Sequence, residues 1–183
     1  MKLKWCILNS RKKLILLKFT GLDMTIKIGE KIPSITLQYM DASEVKSEST
    51  DALFSGKKVA LFALPGAFTP TCSASHLPGY VVKSDELFAK GVDLIVCLSV
   101  NDAFVMSAWG EQHNADDRVM MLADGSGDFT QAVGLELDLT GHGMGVRSQR
   151  YSMLINDGIV EALNIEAAGA FEVSDADTML ASL

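Results

Sequence analysis

The sequence predicts an α/β domain in which a central mixed sheet is flanked by helices, and three observations carry that prediction. Two continuous apolar runs, residues 59–64 in "KKVALFALPG" and residues 92–100, "VDLIVCLSV", are too short for helices and read as strands covered on both faces. A helical pattern over residues 71–90 lies between them. Further on, "RYSMLINDGIVEALNIE" reads as two strands joined around Asp157-Gly158, a strong hairpin signal.

In chain order, the first strand is ended by Pro65-Gly66, and the helical stretch after it carries Pro78-Gly79, which predicts a kink or break. The second strand completes a βαβ unit. Asn101 or Asp102 is placed to cap the next helix, "AFVMSAWGEQHN", with Phe104, Ala108 and Trp109 on one side and Asn114 as its end. "RVMMLAD" is a short third strand, and "GDFTQAVG" a short helix closed by Gly134. After the hairpin, Ser174, followed three residues later by Asp177, opens a last amphipathic helix running to Leu183. The order β-α-β-α-β-α-β-β-α, parallel strands first and an antiparallel hairpin with a closing helix after, is that of a thioredoxin-like α/β fold.

With 183 residues, 48% of them hydrophobic, the chain suits one packed domain, expected over residues 24–183. Residues 1–23 stand apart. They hold six Lys or Arg against Asp23, so without them 10 basic and 22 acidic residues remain and the net charge moves from −7 to −12. An acidic body argues against binding nucleic acid or an anionic membrane surface, both of which select basic patches. The basic segment is too interrupted by charge to span a bilayer and lacks the apolar core and cleavage site of a secretory signal. It is expected to be a disordered or non-native extension ahead of a start near Met24. A cytoplasmic protein is expected, with organellar targeting by residues 1–23 left open.

Of the three cysteines, Cys6 falls in that extension, and Cys72 and Cys97 form no C-x-x-C pair, so neither a disulfide framework nor a structural zinc site is supported. Cys72 and His76 are spaced i, i+4, but two ligands do not make a zinc site. His76 reads better as a supporting or packing residue. Cys72 itself lies between the turn-rich "PGAFTPT" and the start of a helix, where unpaired backbone N–H groups and the macrodipole favour a thiolate. That position makes it a candidate nucleophile. The competing reading is a small buried hydrophobe. Thr69 offers a hydroxyl three residues back, Pro65 can exclude water without adding a donor, and Arg150 opens an apolar strand where a charge needs a partner.

The pattern P-x-x-x-T-x-x-C, filled by Pro65, Thr69 and Cys72, resembles the active-site motif of peroxiredoxins, and "PGAFTPTCSASHLPGY" is similar to their type II, or peroxiredoxin 5, subfamily. "GVDLIVCLSVNDAFVMSAWG" and "RYSMLINDGIVEALNIE" are similar to subfamily segments too, so the resemblance covers roughly residues 24–183. It implies a thiol peroxidase that needs no metal or cofactor. It places the peroxidatic role on Cys72, a peroxide site on Pro65, Gly66, Thr69 and Cys72, activation on Arg150, and a supporting place on Arg147. The resemblance also implies a homodimer, with the Trp109 helix near the contact. Ionisation alone is a modest lever, since taking an ordinary thiol to nearly full thiolate at neutral pH gains only about 30-fold. The remainder must come from donors aimed at the breaking O–O bond.

Animal members of the subfamily carry a resolving cysteine near the C-terminus. Here "AAGAFEVSDADTMLASL" has none, and Val173 stands about at its place. Cys97, 25 residues beyond Cys72, has a spacing similar to bacterial and plant members reduced by glutathione and glutaredoxin, which is the reductant expected here, with thioredoxin the alternative. Lying inside an apolar strand, Cys97 is expected to be a core residue rather than a resolving thiol. Two other function classes compete. A Cys-His hydrolase built on Cys72 and His76 would leave Thr69 and Pro65 unexplained and lacks a third orienting group. A peroxide sensor or thiol-dependent chaperone shares the sulfenate chemistry and differs in lacking sustained turnover.

Overall fold

The computed structural model describes residues 24–115 and 117–183, so the expectations for residues 1–23, Cys6 included, lie outside the described part. Seven strands form one sheet: β1 Thr36–Asp41, β2 Glu44–Ser49, β3 Lys58–Leu64, β4 Leu94–Ser99, β5 Met120–Ala123, and, after a small separate pair, β8 Tyr151–Asn156 and β9 Ile159–Ile165, in the order β2-β1-β5-β4-β3-β8-β9. The separate pair is β6 Glu136–Leu139 with β7 Gly145–Ser148. The helices are α1 Thr50–Phe54, α2 Leu77–Ala89, α3 Ala103–Gln112, α4 Asp128–Ala132 and α5 Ala176–Ala181.

The apolar runs sit where unbroken apolar character demands, at the centre of the sheet. Residues 59–64 of β3 are fully buried, and β3, β4 and β5 run parallel. One face of the sheet carries a core built by α2, α3 and α5 around Tyr80, Trp109, Cys72 and Cys97. The other face packs Phe54, Phe129, Leu37 and Tyr151. The β8–β9 turn places Asp157 at φ 48° and Gly158 at φ 78°, the left-handed pair that a two-residue hairpin loop requires.

Register then positions the site. Leu64 pairs with Ser99 at the ends of the parallel strands β3 and β4, while antiparallel β8 starts with Tyr151 opposite Ala63. Arg150, one residue before β8, is thereby delivered to the end of β3 from which the 65–71 loop departs. The carboxyl ends of parallel strands are where α/β sheets place their ligands.

Several elements differ from the sequence reading. Pro78-Gly79 does not break the helix: α2 runs through it to Ala89, with Pro78 as its second residue. The irregularity comes one turn earlier, as a π-helical turn over Cys72–His76 in which Leu77 N–H reaches back to the Cys72 carbonyl. On α3, Phe104 and Ala108 face outward and Ala103, Met106 and Trp109 face the core, so Trp109 does not share a side with Phe104. Asp102 caps α3 through Val105 N–H, and Asp175, not Ser174, caps α5 through Thr178 N–H. The β1–β2 hairpin, α1 and the β6–β7 pair were not expected.

Candidate active site

The loop between β3 and the π turn is held open in a strained shape. Phe68 has φ 61°, a left-handed conformation that costs a bulky L-residue about 1–2 kcal/mol. Hydrogen bonds on both sides hold it there. Ala67 N–H donates to Asn101 Oδ1 at 3.0 Å, and Thr69 Oγ1 donates to the Gly66 carbonyl at 2.8 Å. Gly66 is a matter of space, since a Cβ there would lie 3.0 Å from Arg147 Nη1 and 3.5 Å from Thr69 Cγ2.

Arg147 lies behind this loop, not at the sulfur. Its Nη1 donates to the carbonyls of Val100 (3.2 Å) and Pro65 (3.4 Å), and its Nε to that of Met144 (2.8 Å). It ties β7 to the ends of β3 and β4. Asn101, the candidate cap, instead turns its Oδ1 to Ala67 N–H and to the Ser99 hydroxyl at 2.8 Å. Sequence reasoning missed this role, although a polar residue just past the end of a parallel strand was a usable signal.

Cys72 opens the π turn with its side chain fully buried. Arg150 Nη2 donates to its Sγ at 3.4 Å, and the guanidinium lies over the Phe171 ring, 5.7 Å from its centroid. The other arm of the fork, Nη1, meets His76 Nδ1 at 3.0 Å, while His76 Nε2 meets the Ser174 carbonyl at 3.1 Å. These partners fix the tautomer. A guanidinium can only donate and a carbonyl can only accept, so His76 is neutral, with its proton on Nε2. Burial first, and the neighbouring Arg150 second, push the His76 pKa down to about 3 from 6.5. His76 is not a base for Cys72, because its acceptor nitrogen is already spent on Arg150.

That shift has a consequence for stability. Between about pH 6.5 and 3 the unfolded chain binds a proton at His76 that the folded chain refuses, so stability falls as the pH drops through this window. Glu166 acts lower. Burial alone would raise its pKa, but bonds from the 172–174 segment outweigh this and hold it below 4.5, so its contribution is lost only under that value. The expected result is a urea midpoint that declines from about pH 7 to about pH 5 in the parent and stays nearly level in His76→Gln, whose amide also offers a donor and an acceptor. Equal slopes in the two proteins would remove His76 as the cause.

Cys97 lies mid-strand in β4, paired with Phe62 and Met121, fully buried in the same apolar cluster as Cys72. Burial, and secondarily the nearby Cys72, push its thiol pKa well up. A protonated buried thiol is a poor nucleophile. Trp109 Nε1 donates to Ser73 Oγ at 3.0 Å and pins the π turn to α3.

The comparisons with known proteins decide the family. The model of the Redoxin family matches residues 27–180. Peroxiredoxin-2E, chloroplastic, of Arabidopsis thaliana is 51% identical over 168 residues, covering 90% of this chain and 72% of its own. The chain belongs to the peroxiredoxin family. Peroxiredoxin-2B of the same plant is 48% identical, covering 86% of this chain and 98% of its own. Among solved structures, reduced Prx3 of Vibrio vulnificus in complex with hydrogen peroxide is 55% identical with a TM-score of 0.83, covering 86% of this peroxiredoxin and 99% of that chain. The thioredoxin-like α/β fold follows, and peroxiredoxins are thiol peroxidases, acting on peroxides with a thiol reductant. In this peroxiredoxin, no described helix is long and apolar enough to cross a membrane.

Proposed function

We propose that this peroxiredoxin reduces hydrogen peroxide and alkyl hydroperoxides through a sulfenic acid on Cys72, and that glutathione with glutaredoxin recycles it. The observation that carries the reading is the donation of Arg150 Nη2 to Cys72 Sγ at 3.4 Å, at the end of the Pro65–Thr69–Cys72 motif. The Cys72 thiolate attacks the nearer peroxide oxygen, an S–O bond forms as the O–O bond breaks, and the departing oxygen leaves as water or an alcohol after taking a proton. Sulfur loses two electrons and the peroxide gains them. The Cys72 backbone N–H and Arg150 are the donors assigned to the two oxygens, and Thr69, whose hydroxyl proton is held by the Gly66 carbonyl, accepts from the peroxide O–H. Pro65 and Gly66 form the wall. The Vibrio vulnificus relative, solved with hydrogen peroxide, supports that substrate.

For alkyl hydroperoxides the support is a groove of about 290 Å³ beside Pro65 and Arg150 that Gln149 and Glu166 also line, with an apolar side of Leu137, Leu139 and residues 167–170 that suits a hydrocarbon tail. Stopped-flow mixing with hydrogen peroxide and with an alkyl hydroperoxide tests both halves. Fast oxidation by both is expected, and no reaction with either would refute the assignment.

Recycling by an external thiol is supported by the burial of Cys97. A first thiol displaces water from the sulfenic acid to give a mixed disulfide, and a second releases Cys72 with formation of the reductant's disulfide. A Cys72–Cys97 bond would need the two Cα atoms within about 7 Å. Cys97→Ala is therefore expected to keep most turnover with glutathione and glutaredoxin. Turnover limited to one equivalent of peroxide in a folded Cys97→Ala protein, with a Cys72–Cys97 disulfide in the oxidised parent by mass spectrometry, would make Cys97 the resolving thiol. Thioredoxin is the alternative reductant, compared in the same assay.

A homodimer is supported by two exposed aromatic residues, Phe68, whose ring centroid lies 6.4 Å from that of Trp109, and Phe104 on the outer side of α3. The cytoplasm is the assigned compartment, with import into an organelle as the alternative given the chloroplastic relatives.

A further inference from the structure

Glu166 takes no part in the chemistry above, yet it is a buried acid whose single oxygen Oε1 collects four donors. They are the N–H groups of Glu172 (2.8 Å), Val173 (2.8 Å) and Ser174 (2.9 Å) and the Ser174 hydroxyl (2.8 Å). Charge-assisted bonds to one carboxylate hold the 172–174 segment as a unit. What they fix in place is the Ser174 carbonyl, which accepts from His76 Nε2 at 3.1 Å and from the Tyr80 hydroxyl at 3.1 Å. His76 in turn presents Nδ1 to Arg150 Nη1, leaving Nη2 for Cys72. Glu166 also binds the same arginine from behind, its N–H donating to the Arg150 carbonyl at 3.0 Å.

We infer that Glu166 is a positioning residue for the peroxidase reaction: through Ser174 and His76 it sets the Arg150 guanidinium on the Cys72 sulfur. The inference rests on the proposed roles of Cys72 and Arg150. A guanidinium on a flexible stem has many orientations, and the carboxylate selects one by fixing the acceptor that holds its other arm. Misplacing a donor by about 1 Å can cost on the order of a hundredfold in rate.

The test compares Glu166→Ala and Glu166→Gln, in the parent and in an Arg150→Met background, by the rate of sulfenate formation with hydrogen peroxide and by the rate of Cys72 alkylation with iodoacetamide. Glu166→Ala is expected to slow both by about tenfold or more. Glu166→Gln, which keeps an acceptor oxygen, recovers part of the loss and still falls about threefold below the parent. In the Arg150→Met background either substitution changes the rates by less than about twofold, because residues on one path are not additive. Parental rates in a folded Glu166→Ala protein, or an equal loss with and without Arg150, would overturn the role and leave Glu166 a loop staple. Should Glu166→Ala fail to fold, Glu166→Gln decides alone, parental rates being the contrary result. A parent whose Cys72 reacts with iodoacetamide and not with peroxide would sink the peroxidase reading, while the alkylation arm still judges the positioning role.

Discussion

Cys72→Ser is expected to consume no hydroperoxide and to melt as the parent does. Both halves follow from the sulfur's surroundings. Cys72 is fully buried in an apolar cluster, and serine replaces it almost without change of volume, its hydroxyl able to accept the hydrogen bond that Arg150 Nη2 gives the sulfur. The fold therefore survives. Catalysis does not, because the thiolate alone is the nucleophile and a serine hydroxyl stays protonated with no base at hand. His76, the histidine that a hydrolase would need, is neutral, donates Nε2–H to Ser174 and accepts from Arg150 at Nδ1. Stopped-flow peroxide consumption and thermal melting together check the expectation, and sustained turnover in the variant would contradict it.

Arg150→Met comes next in size. Sulfenate formation should slow by on the order of a hundredfold or more, the loss typical of removing one well-placed donor to developing charge. The loss should persist at a pH where the thiol is fully ionised, since the guanidinium is assigned to the departing oxygen as well as to the sulfur. The thioether replaces the aliphatic stem in volume and loses only the guanidinium over the Phe171 ring, so the fold is expected to hold. If the deficit disappeared at high pH, Arg150 would serve the thiolate only and the transition-state role would be wrong.

The parts of the molecule that the sequence announced are those where one residue type has one physical meaning. Unbroken apolar runs had to be central strands, Asp157-Gly158 had to turn a hairpin, and a cysteine at a strand-loop-helix junction marked the candidate site. The β1–β2 hairpin was silent for the opposite reason. Its strands are half exposed and polar, and the chain turns after Asp41 through Ala42 at φ 54°, a residue that gives no turn signal. At the site, the motif named the loop but not what stands behind it. Arg147, expected only in a supporting place, clamps the loop, whereas Asn101 looked like a cap and holds the loop's backbone. Glu166, Ser174 and Phe171 lie more than 90 residues from Cys72 in the chain, and the fold alone brings Ser174 and Phe171 to His76 and Glu166 to Ser174. No spacing could have linked them. Pro78 misled because the irregularity falls one turn earlier, in the π turn over Cys72–His76, and the helix runs on unbroken beyond it.

The central claim is that Cys72 alone is the oxidised atom, and one measurement bears on it directly. The reduced protein is mixed with a single equivalent of hydrogen peroxide, quenched with dimedone, and its peptides are mapped by mass spectrometry against time. The account predicts one dimedone adduct, on Cys72, growing as the peroxide disappears, and none on Cys97. An adduct that forms first on Cys97, or peroxide that persists beside an unmodified Cys72, would contradict it.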